Sequence, residues 1–303
     1  MMPKYTIILN PQAKRGKASV LCQQLEKITH EVHVERTTGP QDATVKARST
    51  VEKGTKIVIA AGGDGTINEV LNGIVGTDAV LGVIPFGSVN VLARQLRIPL
   101  HFDAAWRVIE QGYIQTIDVV KIDYSVSSQN SNVEQAQTQS RYFVQLAGVG
   151  LDAQVVQEVT SEKKKRWGPL IYAFEFLKLA SKPFPKISVK IDEAAPLEGE
   201  FVLLGNGQYY AGPFSVFKYA ALSDGQLDAC IFESMGHLRL FKYIIAIALG
   251  THAKTKGIQY RQGKSIEIHS PSKTPVEVDG EFVGYLPARF TVLPKALKIL
   301  VPR

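Results

Sequence analysis

Residues 57–73 read IVIAAGGDGTINEVLNG. The run Ile57–Ala61 is short, apolar and bounded by glycine, which is the signature of a buried strand, and the segment from Thr66 onward has helical spacing. Between them, Gly62, Gly63 and Gly65 form a turn whose bare backbone lets N–H groups approach an anion such as phosphate at a helix start. Asp64 stands in the middle of that turn. A carboxylate beside a phosphate repels it, so either the phosphate reading fails or something positive stands between the two.

Outward from this turn, the first part of the chain alternates strand-like and helix-like runs. YTIIL and EVHVER read as strands, and KASVLCQQLEKI and PQDATVKARSTVEKG as helices. After the glycine turn come AVLGVIP as a strand, SVNVLARQL and FDAAWRVIEQG as helices, and the strand-like YIQTIDVVKIDY. Strand and helix in turn predict a doubly wound α/β domain over residues 1–124, with ligands at the C-terminal ends of its strands. Residues 125–140, SVSSQNSNVEQAQTQS, are polar and aperiodic and read as a loop or hairpin tip at the domain transition. From Arg141 onward short strands with turn signals predict a β-rich sandwich over 125–303, with helices only near 169–179 and 238–249. Whether the last residues return to the first domain is left open.

Composition narrows the class. A chain of 303 residues with 45% hydrophobic and 21% charged residues is long enough for two cored domains. Thirty-five Lys and Arg against twenty-eight Asp and Glu give a net charge of +7, which favours anionic partners or membrane surfaces. Cys22 and Cys230 are far apart and form neither a disulfide framework nor a zinc pattern, and the six histidines show no ligand spacing. No apolar run is long enough for a membrane span, and the opening residues are too short for a signal core, so a cytoplasmic protein is expected.

The glycine turn fits no common fingerprint. Asn68 stands where a dinucleotide-binding motif has its third glycine, and PQAKRGKAS lacks the first glycine and the hydroxyl residue of a P-loop. Neither a GxSxG elbow nor an HExxH pair occurs. Taken together, GGDGTINEVLNG (62–73), NPQAKRGK (10–17) and GVIPFGSVNVLARQL (82–96) resemble the diacylglycerol kinase catalytic family of bacterial soluble lipid kinases. GGDGT alone is shared with NAD kinases and phosphofructokinases, and NEVLNG narrows it to lipid kinases. NGQYYAGPF (206–214), ALSDGQLDACIF (221–232) and EVDGEFVG (277–284) resemble later family blocks in the same order. Two departures touch the acceptor side: Val91 replaces a carboxylate, and a glycine common in the family is lost around Ala211 and Pro213.

The resemblance implies ATP as donor and Mg²⁺ as the cation that neutralises the transferring phosphate. Gly62, Gly63, Gly65 and Thr66 would then meet the nucleotide phosphates, with Asn10 and with Lys14 or Arg15 after the first strand, the alternative for the two basic residues being a solvated loop. Thr37 or Thr38 would supply a nucleotide-contacting threonine, and Ser88 and Asn90 keep a hydroxyl and an amide in the third motif. Glu69 would hold the turn or bond the ribose, its alternative being an acidic residue favourable to the helix dipole. Asp64 would place Mg²⁺ or its waters against the phosphate. Asp224, with the carbonyls of Ala221 and Gln226, would hold a structural Mg²⁺, the alternative being an Asp-Gly turn. The family pattern puts the general base at Glu281 with Asp279 close by, although Asp279–Gly280 also reads as a hairpin turn.

The expected protein is an ATP- and Mg²⁺-dependent lipid kinase acting on diacylglycerol or a related lipid in a cleft between two domains. Its expected partners are nucleotide and a lipid at the membrane surface, without nucleic acid, and homodimerisation is left open. A kinase of a soluble acceptor and a non-catalytic nucleotide- or lipid-binding regulator are the rivals. The basic run and aromatic segment at 162–178 are expected to be a solvated charge run and a core helix before they are a membrane contact.

Overall fold

Buried apolar runs separated by amphipathic helices build the first half of the chain. The computed structural model describes residues 5–13, 18–25, 32–126, 137–159, 175, 178–179, 184–210 and 214–303. In chain order the first elements are β1 (Tyr5–Leu9), α1 (Ala18–Leu25), β2 (Val32–Arg36), α2 (Asp42–Glu52), β3 (Ile57–Gly62), α3 (Asp64–Ile74) and β4 (Val80–Pro85). They are followed by α4 (Val91–Gln95), α5 (Phe102–Gln111) and the long β5 (Tyr113–Val126). β2, β1, β3 and β4 lie side by side in that order, all parallel. Parallel neighbours need crossovers, and the helices cover both faces of the sheet. On one face Ile8, Val58, Ala60, Leu81 and Val83 meet Val70 and Leu71 of α3. On the other, Ile7, Leu9, Ile59 and Ile84 meet Leu21 and Ile109 of α1 and α5.

The remaining elements are β6 (Gln137–Phe143), β7 (Leu146–Val149), α6 (Leu151–Glu158), β8 (Ile187–Ile191), β9 (Leu197–Gly199) and β10 (Phe201–Gly205). They continue with β11 (Tyr209–Tyr210), β12 (Phe214–Ser215), β13 (Leu227–Phe232), α7 (His237–Ala248), β14 (Ile258–Gly263), β15 (Ser265–His269), β16 (Pro275–Val278) and β17 (Glu281–Val301). One layer runs β14-β13-β10-β7-β16-β17, and β8, β9, β15, β5 and β6 form the other around β17. Alternate residues of the two layers, among them Val120, Phe143, Val149, Val189, Leu204, Val276 and Phe290, close an apolar core between them. A further apolar layer joins Leu203 and Phe232 on the outer face to Leu151 of α6 and to Leu240 and Tyr243 of α7.

β17 is common to both halves. Its early residues pair with β16, β15 and β5, and Lys298 and Ile299 pair parallel to Val80 and Leu81 of β4. Its pairing with β5 shifts register between Tyr285 and Ala288 and between Leu293 and Leu297. Pro287 and Pro294 fall inside these two irregularities, where a residue without N–H does not interrupt the ladder.

Three expectations change in detail. The second half also holds α6 (Leu151–Glu158), a helix outside the two expected there. SVNVLARQL is helical only from Val91, because Asn90 adopts φ +56° and closes a turn first. The polar stretch 125–140 is partly strand: β5 extends to Val126 and β6 begins at Gln137, an antiparallel pair. Residues 127–136, the expected hairpin tip, and most of the expected helix at 169–179 lie outside the described residues.

Candidate active site

The C-terminal ends of the parallel strands meet at one edge, where an open α/β sheet places its ligands. Asn10 follows β1, Thr37 and Thr38 follow β2, the glycine turn follows β3, and residues 86–90 follow β4. The Asn10 side-chain amide donates to Thr66 Oγ1 at 3.0 Å, and Asn10 Oδ1 accepts the Gln12 N–H at 2.9 Å. Gly63 and Gly87 bring the two turns into contact, since a Cβ on Gly87 would lie 2.6 Å from the Gly63 Cα. Asn90 closes the second turn by accepting the Gly87 N–H at 2.8 Å and donating to its carbonyl at 3.0 Å. Ser88 is exposed beside it.

Asp64 has its positive partner within the protein. Its Oδ1 accepts the Val91 N–H at 2.7 Å, at the first turn of α4. Backbone N–H groups there favour the carboxylate, while burial is the larger influence and raises its pKa. The backbone N–H groups thus offset the carboxylate's charge only in part. Glu69 also reaches away from the turn: its Oε2 accepts the Ala43 N–H at 3.1 Å, and its carbonyl accepts the Thr44 hydroxyl at 2.9 Å. It satisfies the start of α2, a partner that neither expected reading of Glu69 included. Thr37 is buried, while the exposed Thr38 donates both N–H and hydroxyl to Asp42 Oδ2, at 2.8 and 3.0 Å. Lys14 and Arg15 lie outside the described residues.

The hairpin between β16 and β17 brings the second half of the chain to this edge. Asp279 and Gly280 have φ +47° and +82°, the left-handed pair of a tight Asp-Gly turn. Each Asp279 carboxylate oxygen takes two donors. Oδ1 accepts the N–H groups of Gln145 and Leu146, both at 3.0 Å, and Oδ2 accepts the Asn68 amide at 2.8 Å and the Val144 N–H at 3.3 Å. Burial nonetheless raises its pKa. Asp279 is thus the anchor that pins the hairpin to the 144–146 segment and to α3.

Glu281, two residues on, reaches the glycine turn. A Cβ on Gly65 would lie 2.7 Å from Glu281 Oε1, so the carboxylate rests against the glycine turn and would have to shift for any larger residue there. Arg141 Nη2 donates to Glu281 Oε2 at 2.5 Å and to Asn68 Oδ1 at 3.0 Å. One turn further along α3, Asn72 exchanges hydrogen bonds with the backbone of Tyr142, at 2.8 and 2.9 Å. Asn68, Asn72 and Arg141 were not singled out by the sequence as site residues. Asn68 stood out only as the break in a glycine fingerprint, and the four-residue spacing of the two asparagines on a helix was the available signal.

Behind the same hairpin lies a buried acidic pair. Glu277 and Asp152 are almost fully inaccessible and meet over Gly148, where a Cβ would lie 2.8 Å from Glu277 Oε1 and closer still to Asp152 Oδ2. Glu277 Oε2 accepts the Gly280 N–H at 2.8 Å, and the Tyr210 hydroxyl donates to Asp152 Oδ1. Burial raises the pKa of both carboxyls, and the neighbouring Asp152 raises that of Glu277 further.

The Asp224 turn is exposed, with Asp224 Oδ1 accepting the Gln226 N–H at 3.0 Å and the Ala221 carbonyl facing the Asp224 N–H at 3.5 Å. This is the hydrogen bonding of an Asx turn. Its donors are a carboxylate and carbonyls, the hard oxygens that suit Mg²⁺. Asp118, fully buried, braces the turn by accepting the N–H groups of Gly225 and Lys295, both at 2.7 Å. Among the described residues no three His, Cys, Asp or Glu side chains cluster as metal ligands.

Comparison with known proteins bears on these blocks. Residues 4–122 match the diacylglycerol kinase catalytic domain, and residues 145–301 match the YegS C-terminal NAD kinase beta sandwich-like domain. A diacylglycerol kinase of Staphylococcus saprophyticus is 31% identical over all of this chain and 96% of its own length. One of Staphylococcus epidermidis is 32% identical over all of this chain and 93% of its own. The crystal structure of a diacylglycerol kinase from Bacillus anthracis superposes with a TM-score of 0.77 over 98% of this chain and 96% of that one, at 24% identity, which supports the fold. With both halves matched in order and relatives aligned end to end, the chain belongs to the diacylglycerol kinase family and is a kinase.

Proposed function

We propose that this kinase transfers the γ-phosphoryl group of ATP to the hydroxyl of diacylglycerol or a closely related lipid, with Mg²⁺. The observation that carries the reading is Glu281 against Gly65: a carboxylate from the β-sandwich half lies at the phosphate-type turn of the α/β half. Phosphoryl transfer needs positioning and charge neutralisation more than covalent chemistry. In this reading the N–H groups of Gly62, Gly63 and Gly65, with Thr66, receive the nucleotide phosphates at the start of α3. Asn10 orients the Thr66 hydroxyl, and Ser88 and Asn90 shape the facing turn. Thr37 or Thr38 lines the nucleotide side, and Lys14 joins the phosphates.

Glu281 accepts or orients the acceptor proton, and Arg141 holds its carboxylate in place. Asp279 fixes the hairpin that presents it. Asp64 ties the glycine turn to α4 and keeps one face of the phosphate site in register. Mg²⁺, when bound, would neutralise charge on the phosphates, and Asp224 with the carbonyls of Ala221 and Gln226 would hold a second ion at the turn beside Asp118. The names of the Staphylococcus relatives support diacylglycerol as the acceptor.

The test is incubation with labelled ATP, Mg²⁺ and mixed micelles carrying diacylglycerol or other hydroxyl lipids. Labelled lipid dependent on Mg²⁺ is the expected result. No labelled lipid under any condition defeats the reading.

A further inference from the structure

α7 (His237–Ala248) is apolar on both sides. Leu240, Tyr243 and Ala246, spaced three residues apart on one side of the helix, are buried. Leu238, Phe241, Ile245 and Leu249 recur at intervals of three, four and four on the outward side, with exposures of 89, 66, 42 and 72%. Scattered exposed apolar residues need no explanation, but a continuous stripe on a helix already seated by its other face does. The stripe adds nothing to the core, so its solvent exposure is a cost without a folding return.

The charges carried by the helix and the segment after it share one sign, while Glu200 accepts the Met235 N–H at 2.6 Å just before the helix start. From Ser234 to Ile266 the chain contains no Asp or Glu, and it carries Arg239, Lys242, Lys254, Lys256, Arg261 and Lys264. Arg239, Lys242, Lys254 and Lys256 are exposed, and the Lys242 ammonium donates to the Lys256 carbonyl at 3.1 Å, drawing the helix and the following segment together. A twelve-residue helix is too short to cross a bilayer. An apolar stripe bordered by basic side chains is instead the pattern of a helix lying in the plane of an anionic lipid surface.

We propose that the outward face of α7 is the surface by which this kinase docks on an anionic bilayer, with Leu238, Phe241, Ile245 and Leu249 entering the headgroup boundary and Arg239 and Lys242 meeting lipid phosphates. The proposal rests on the lipid-acceptor reading for its purpose but not for its measurement. The run at 162–178, expected to be a solvated charge run and a core helix before a membrane contact, lies mostly outside the described residues.

The experiment is co-sedimentation of the full chain with vesicles of phosphatidylcholine alone and of phosphatidylcholine with phosphatidylglycerol, alongside the double variant Leu238→Ser/Phe241→Ser. The wild type should bind the anionic vesicles and bind the neutral ones more weakly, and the double variant should partition at least about tenfold less. The variant should keep the wild-type melting temperature and its activity on a short-chain diacylglycerol dispersed in water, while losing activity on vesicles. Equal binding of variant and wild type overturns the proposal, as does a wild-type dimer that the double variant converts to monomer, since a second copy then covers the stripe. Vesicle binding without phosphorylation of any lipid upholds the docking surface and overturns the acceptor reading.

Discussion

Arg141 Nη2 lies 2.5 Å from Glu281 Oε2 and 3.0 Å from Asn68 Oδ1, so one guanidinium joins the β16–β17 hairpin to α3. A charged, forked donor fixes both the position and the charge of the carboxylate it holds. The Glu281 side chain is 39% exposed, and water screens part of that attraction. The main effect is therefore on placement. Arg141→Ala should lower kcat by about 10- to 100-fold with a small change in nucleotide KM, and Arg141→Lys, a point charge without the fork, should fall between. Steady-state kinetics with varied ATP decide it, and an Ala variant at full kcat removes Arg141 from the site.

Asp279 should behave as an anchor. Its two oxygens satisfy three backbone N–H groups and the Asn68 amide. Asp279→Ala leaves these donors unpaired and should destabilise the protein by about 3 kcal/mol or more, seen as a melting temperature lower by several degrees. Unchanged melting with lost activity would make Asp279 a participant in the chemistry instead.

Asp228 gives a pH signature. It is fully buried, the Tyr260 hydroxyl donates to it, and burial raises its pKa from 3.8 to about 6. The folded state then binds more protons than the unfolded chain between those values. Stability from this carboxyl is present in full below about pH 4 and is lost as pH rises through 6, a change of up to about 3 kcal/mol. Asp228→Asn should flatten denaturant-measured stability between pH 4 and 6. A variant that keeps the wild-type slope there shows that other groups set it.

Asp224 should link Mg²⁺ to stability. If its turn holds the ion, adding Mg²⁺ raises the wild-type melting temperature by mass action, and Asp224→Ala abolishes that increment and lowers activity. An identical Mg²⁺-dependent shift in the variant removes the ion from this turn.

The sequence made the fold legible where periodicity was strong. Alternating buried strands and amphipathic helices before Tyr124, and short alternating strands after Arg141, match the doubly wound sheet and the sandwich in the structure. The site was legible as a set of motifs but not as a set of partners. Glu69 lies within a motif, yet it bonds Ala43, 26 residues away, and Asp64 bonds Val91, 27 away. Such pairings depend on how helices pack at the sheet edge, which no local pattern encodes. The shortened α4 had a local cue in Asn90, since asparagine is among the few residues that readily adopt a left-handed backbone. Arg141 gave none, standing at the end of a polar tract whose strand pairing forms only across β5.

Glu281→Gln tests the central assignment most directly. The substitution keeps the size of the side chain against Gly65 and removes the proton acceptor. Turnover on diacylglycerol in mixed micelles should fall by about 10²- to 10⁴-fold, while calorimetric ATP affinity and melting temperature stay close to wild type. A Gln variant with wild-type turnover would contradict the assignment of Glu281 as the group that receives or orients the acceptor proton.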